Sequence, residues 1–185
     1  MLLLYVTFEY GSMFYQQRQL SARWEKQNSP AIAAPKAADP REQVTRLSIP
    51  SIDMDAIVVE GTSYRQLSIA PGHMTDTPAP GESGNSVITA HRDTFFRHIY
   101  ELKKGDEIVV RRGGKSFQYV VDRKSVVKPS DVSVLKPTMD ARLTLITCYP
   151  TYYVGPAPER LVVTAKLATP ADATATTSPA RPGAE

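Results

Sequence analysis

The sequence predicts an all-β fold, a closed barrel with short helices in its connections. Two observations carry this reading. Between Val44 and Ala168, eight or so short β-branched runs are separated by Pro, Gly, Asn and Asp breaks, with only brief helical turns among them. The last two runs, Arg142–Cys148 and Arg160–Leu167, sort by the strand period of two. Long helices of the kind that cover a βαβ layer are missing from this stretch.

Taken in order, Val44–Ile49 and Met54–Glu60 form a first pair of strands across Pro50 and Asp53. Tyr64–Ile69 is a single helical turn. Pro71-Gly72 and Thr77–Asn85 are loops by composition. Ser86–His91 is a strand that ends on a histidine. Asp93 or Thr94 caps a short helix through Phe95, Phe96, Ile99 and Leu102, which Gly105 stops. Asp106–Arg111 and Lys115–Val121 flank Arg112-Gly113-Gly114, a strong hairpin signal, and Ser125–Val127 continues the second strand beyond a bend. Asp131–Leu135 is a helical turn between prolines, and the two sorted strands follow.

The flanks differ in kind. Met1–Tyr15 is apolar and aromatic but carries Glu9 and Gly11, and it falls short of the about 20 apolar residues a membrane-spanning helix needs. Residues 1–27 are read as a truncated membrane anchor with a polar juxtamembrane helix over Gln16–Gln27; an amphipathic N-terminal helix is the alternative. Residues 28–43 form a Pro/Ala-rich linker, 44–168 the barrel, and 169–185 a disordered tail with too little apolar surface to offset its ordering entropy.

The charges, 22 Lys and Arg against 19 Asp and Glu, leave a net +3 and are interspersed, so no nucleic-acid partner is expected. One cysteine excludes an internal disulfide and a multi-cysteine zinc site, and the three histidines lack short-spaced ligand pairs. No metal or cofactor is expected. A lone cysteine is more often core filler than chemistry. Cys148, however, closes a strand beside Tyr149-Pro150, on the less apolar face. Arg160 falls on the less apolar face of the next strand, where Leu161, Val163, Ala165 and Leu167 make the apolar one. A thiol nucleophile needs a base and an oxyanion donor. His73 lies in a Gly/Pro loop and reads as solvated, His98 as a helix-surface residue, and His91 ends a strand as Cys148 does. Their spacing of 57 residues is by itself uninformative.

Thr144-Leu145-Ile146-Thr147-Cys148 resembles the sortase signature Thr-Leu-x-Thr-Cys. Ile88–Ile108 is similar to the sortase histidine segment and Tyr152–Ala165 to its arginine-bearing strand, with a likeness to class D. The resemblance implies an eight-stranded sortase barrel and a cysteine transpeptidase, with Cys148 as nucleophile, His91 as acid/base and Arg160 as oxyanion stabiliser and substrate-positioning group. It implies cleavage of a C-terminal Leu-Pro-x-Thr-Gly-like motif on secreted or pilin proteins. An amine of a peptidoglycan precursor or of a pilin would then resolve the thioester. The implied location is the cell membrane, with the barrel outside the cytoplasm. Thr147, Tyr152 and Tyr153 are candidates for the substrate groove. The competing readings are an extracytoplasmic cysteine peptidase and a catalytically silent binding module on the same barrel.

Overall fold

The computed structural model describes residues 2–28 and 44–168 of the 185-residue chain. The expected linker, apart from Asn28, and the expected tail lie outside them. Eight strands close into one barrel: β1 (Thr45–Ile49), β2 (Met54–Glu60), β3 (Gly72–His73), β4 (Gly84–Thr89), β5 (Glu107–Arg112), β6 (Lys115–Val127), β7 (Ala141–Tyr149) and β8 (Glu159–Leu167). Around the barrel their order is β1-β2-β3-β4-β7-β8-β6-β5, with β5 returning to β1. All neighbours are antiparallel except β2/β3 and β4/β7. Closure leaves no long free edge and wraps the wall around one apolar core.

The two sorted strands explain why the wall holds. On β7, Leu143, Leu145 and Thr147 are buried at 2% exposure or less, and on β8 Leu161, Val163 and Ala165 likewise. These residues share the inner face with Ile88 and Ala90 of the β4 segment. Residues of opposite parity face outward, among them Asn85, Val87 and Thr89 before His91, and Thr144 and Ile146 before Cys148.

Four local features depart from the sequence reading. The helix expected after Asp93 is instead a series of tight turns with one 3₁₀ turn, Ile99–Glu101. Most of its hydrogen bonds run three residues back, from Arg97 to Thr94, Ile99 to Phe96 and Leu102 to Ile99, while Phe96 N–H donates to the His91 carbonyl. The buried set Phe96, Ile99 and Leu102, each 0% exposed, repeats every three residues, which matches a 3₁₀ turn better than the 3.6 period of an α-helix. Gly72–His73, read as loop, is strand β3. A Cβ at Gly72 would lie 2.2 Å from the Gly61 carbonyl oxygen, so only glycine allows this close approach of the two chain segments. His73 is buried rather than solvated, because β3 tucks it between β2 and β4. Its Nδ1 lies 2.9 Å from Glu60 Oε2 and its Nε2 3.0 Å from the Pro78 carbonyl. Finally, β4 begins at Gly84, inside the expected loop. Asn85 is buried there because its side chain accepts from Thr144 Oγ1 at 2.6 Å and donates to the Val134 and Lys136 carbonyls.

The expected bend in β6 is a bulge between Val121 and Arg123. Asp122 there accepts from Thr164 Oγ1 at 2.6 Å and from Arg142 Nη1 at 3.2 Å. At the chain's start, α1 (Leu2–Asn28) is one helix that runs through Gly11, longer than the polar segment expected. Among the described residues no helix is long and apolar enough to cross a membrane. α1 lies along β2, whose first half has no second strand beside it among the described residues because β3 pairs only with Val59 and Glu60. The Gln17 amide takes that place: it accepts from Ile57 N–H at 3.2 Å and donates to the Ile57 and Ile69 carbonyls. Trp24 lies under the Arg46 guanidinium, 5.0 Å from ring centroid to Cζ.

Candidate active site

The parallel β4/β7 ladder sets the site. Every pair in it is offset by the same number of residues, from Gly84 opposite Ala141 to Thr89 opposite Ile146. Ala90 extends the ladder by donating its N–H to the Ile146 carbonyl, and Thr147 Oγ1 ties back to the Ala90 carbonyl at 2.7 Å, a separation of 57 residues. His91 follows Ala90 and Cys148 follows Thr147, so these two residues share that separation. The uninformative spacing is therefore the strand offset itself. Across the other side of β7, Cys148 pairs directly with Arg160 of β8.

Strand parity puts Cys148 and Arg160 on one face, and His91 follows the buried Ala90 just past the end of β4. Cys148 and Arg160 alternate outward from the buried Thr147 and Leu161 that precede or follow them. Each of the three is partly exposed, and Cys148 is a free thiol. A thiol and a guanidinium thus stand on two adjacent strands, with an imidazole just past the end of the third, where the sheet gives way to loops. Thr147 lies inside the wall, 2% exposed, and braces the two strand ends through its hydroxyl; it does not line a groove.

Arg160 Nη1 donates to the carbonyls of Ala157, at 3.3 Å, and Glu159, at 2.9 Å. These bonds hold the guanidinium at the foot of the loop while engaging only one of its three nitrogens. The loop itself, residues 150–158, leaves β7 through a cis Tyr149–Pro150 peptide and carries exposed aromatic and apolar side chains. Tyr152 is 71% exposed and Tyr153 45%.

Three residues that the sequence did not single out complete the surroundings. Tyr64, from the short helix α2 (Tyr64–Leu67), packs edge-on against the His91 ring with centroids 6.4 Å apart. Tyr100 meets Tyr152, ring to ring at 6.4 Å and hydroxyl to hydroxyl at 3.5 Å. Hydrogen bonds to Tyr152 and then to Glu101 push the Tyr100 phenol well above its usual range. Glu101 is held below the usual carboxylate range, chiefly by His98 and secondarily by Tyr100. His98, read as a surface residue, is half exposed and bonds Glu101 at 2.8 Å. Arg92, directly after His91, donates to three carbonyls of the 150–158 loop. Its partners are backbone atoms, so no sequence motif could announce it.

Comparison with known proteins agrees with this fold. The sortase domain family model matches residues 47–168. Sortase D of Bacillus subtilis is 37% identical over 124 residues, which cover 66% of this chain and 63% of that protein. Sortase A of Listeria monocytogenes is 33% identical over 109 residues, covering 57% of this chain and 49% of the relative. The chain therefore spans less than two thirds of the length of these curated relatives. Among solved structures, a Clostridium perfringens Sortase D5 transpeptidase superposes with a TM-score of 0.66 at 27% identity, over 84% of this chain and 97% of the other.

Proposed function

This chain belongs to the sortase family, and from that premise we propose that it is a cysteine transpeptidase acting through Cys148, His91 and Arg160. The observation that supports the proposal is the pairing of Cys148 with Arg160 across β7 and β8, beside a β4 strand that ends two residues before His91. The Cys148 thiolate attacks the scissile carbonyl of a sorting peptide of the Leu-Pro-x-Thr-Gly kind. The C–N bond breaks, a thioester forms, and His91 gives the leaving amine its proton. An incoming amine then loses a proton to His91, attacks the thioester and expels the thiolate. Arg160 donates N–H groups to the tetrahedral oxyanion, for which its Nε and Nη2 are free of the loop carbonyls that engage Nη1. Peptide-bond energy is conserved in the thioester, so the reaction calls for no cofactor.

The donors are secreted or pilin proteins, and the acceptor amine comes from a peptidoglycan precursor or a pilin. The enzyme works at the cell membrane with its barrel outside. Tyr152 and Tyr153 offer aromatic walls to an apolar Leu-Pro pair. The decisive measurement is intact-protein mass spectrometry with a sorting peptide in excess. The expected result is a thioester adduct on the Cys148 peptide that an added amine converts to ligated product. Free acid alone, even with the amine present, would mark a peptidase; no adduct would mark a silent module.

A further inference from the structure

One residue outside the proposed triad holds the site's most exposed segment. Loop 150–158 joins the strand that ends with Cys148 to the strand that begins with Arg160, yet it has little structure of its own. Among the described residues its only internal backbone hydrogen bond is a long one, from Tyr153 N–H to the Pro150 carbonyl at 3.4 Å. Val154 at its tip is 96% exposed. What fixes the loop comes from across the site. Arg92 Nη1 donates to the Pro150 carbonyl at 3.3 Å, and Nη2 to the carbonyls of Tyr153, at 2.7 Å, and Gly155, at 2.9 Å. The Arg92 guanidinium also lies 5.9 Å from the centroid of the Tyr153 ring. Gly155 adopts φ 103°, a conformation that favours glycine, as the backbone turns this carbonyl to the guanidinium.

We propose that Arg92 is a positioning residue that clasps the 150–158 loop to the His91 segment. In doing so it sets the wall against which the acyl-donor peptide binds. The inference rests on the transpeptidase reading, since it assigns the loop to the donor site of that reaction. Its geometry is economical. Arg92 follows His91 in the chain, and the loop follows Cys148 and precedes Arg160. One side chain therefore links the segment that carries His91 to the connection between the strands that carry Cys148 and Arg160. A planar guanidinium can reach three carbonyls at once, whereas a lysine ammonium on a flexible stem cannot reproduce that fan. Tyr152 against Tyr100 gives the loop a second tie to the same stretch of chain, and Lys124 secures that stretch by donating to the Tyr100 and Leu102 carbonyls. Arg160 holds the loop's far end through Ala157. With the Arg92 tie cut, the near half of the loop moves while the far half stays.

The test compares wild type with Arg92→Ala and Arg92→Lys. Both variants should show faster amide hydrogen exchange over 150–156 with unchanged exchange over β7, and melting temperatures within about 2 °C of wild type. Thioester formation with a sorting peptide should lose about 10- to 100-fold in kcat/KM, carried mainly by KM. The rate at which a small neutral alkylating reagent modifies Cys148 should stay within about twofold. Lysine should recover little of the loss, because the fan and not the charge is needed. An active wild type whose Arg92→Ala variant matches it in kcat/KM or in loop exchange overturns the clasp alone. So does a variant whose loss lies wholly in kcat. A wild type that forms no thioester with any sorting peptide overturns the transpeptidase reading, and the clasp's role in it falls as well.

Discussion

The inner and outer faces of the β4–β7–β8 wall are built from the same strands and do different work. Inside, Ile88, Ala90, Leu143, Leu145, Leu161, Val163 and Ala165 interlock in the core. Outside, the opposite parity carries a polar cross-tie at one end, Thr144 to Asn85, and Cys148 and Arg160 at the other, with His91 just past the end of β4. The alternation keeps stability and proposed chemistry on separate surfaces while making both depend on one register. A one-residue slip of β7 would turn Cys148 into the core and Leu145 out of it. The separation should therefore be visible in how variants on each face fail.

The largest effect belongs to the outer face. Cys148→Ala should abolish the thioester and lower peptide turnover by at least about 10⁴-fold. A partly exposed thiol contributes little packing, so its stability should stay within about 0.5 kcal/mol of wild type. Paired peptide-cleavage and urea-denaturation measurements check both halves, and a variant that unfolds would break the comparison at its simplest point. The inner face should give the reverse. Leu145 is 0% exposed, and Leu145→Ala should cost about 2–5 kcal/mol while turnover per folded molecule, scored by active-site titration, stays near wild type. A change in intrinsic rate there would show that register strain reaches Cys148.

Arg160→Lys sharpens the outer face further. It keeps the charge and loses the planar fork, so turnover should fall about 10²-fold with stability unchanged. Near-normal turnover would reduce Arg160 to the carbonyl bonds it makes with Ala157 and Glu159.

How much of this the sequence discloses follows the range of the interactions. Strand parity is local, so the faces of β7 and β8 are readable from the alternation between Leu143 and Leu167 alone. The hairpin at Gly113-Gly114 is likewise legible, because two glycines at positive φ are a local demand. What the sequence hides is non-local. The segments before His91 and Cys148 meet only through a parallel pairing formed across the intervening β5/β6 hairpin. His73 reads as a loop residue until β3, only two residues long, buries it. The 3₁₀ turn reads as a helix because three apolar residues at threefold spacing also suit one helical stripe. Arg92 stays hidden because the carbonyls of Pro150, Tyr153 and Gly155 have no residue signature.

The smallest effect tests the far end of the wall, away from the proposed triad. Asp140 accepts from Arg142 Nε at 3.2 Å, and this hydrogen bond is the main cause that holds its carboxyl below the usual range; Lys166 adds a weaker attraction. Asp131 is lowered in the same direction, first by its hydrogen bonds with Ser133. A carboxyl whose folded value is depressed stabilises the protein at pH values above its unfolded value of about 4. That stabilisation is lost as pH falls through the unfolded value toward the lower folded one. Both groups are solvent-exposed, so salt should weaken the effect. Asp140→Asn should therefore lower the urea midpoint slightly at pH 7 and converge on wild type near pH 3, with His91 and Cys148 chemistry untouched. If the midpoints of variant and wild type ran parallel from pH 7 to pH 3, the Asp140–Arg142 contact would contribute no pH-dependent stability. This end of the outer face would then be held by the buried Asn85–Thr144 tie and the apolar inner face alone.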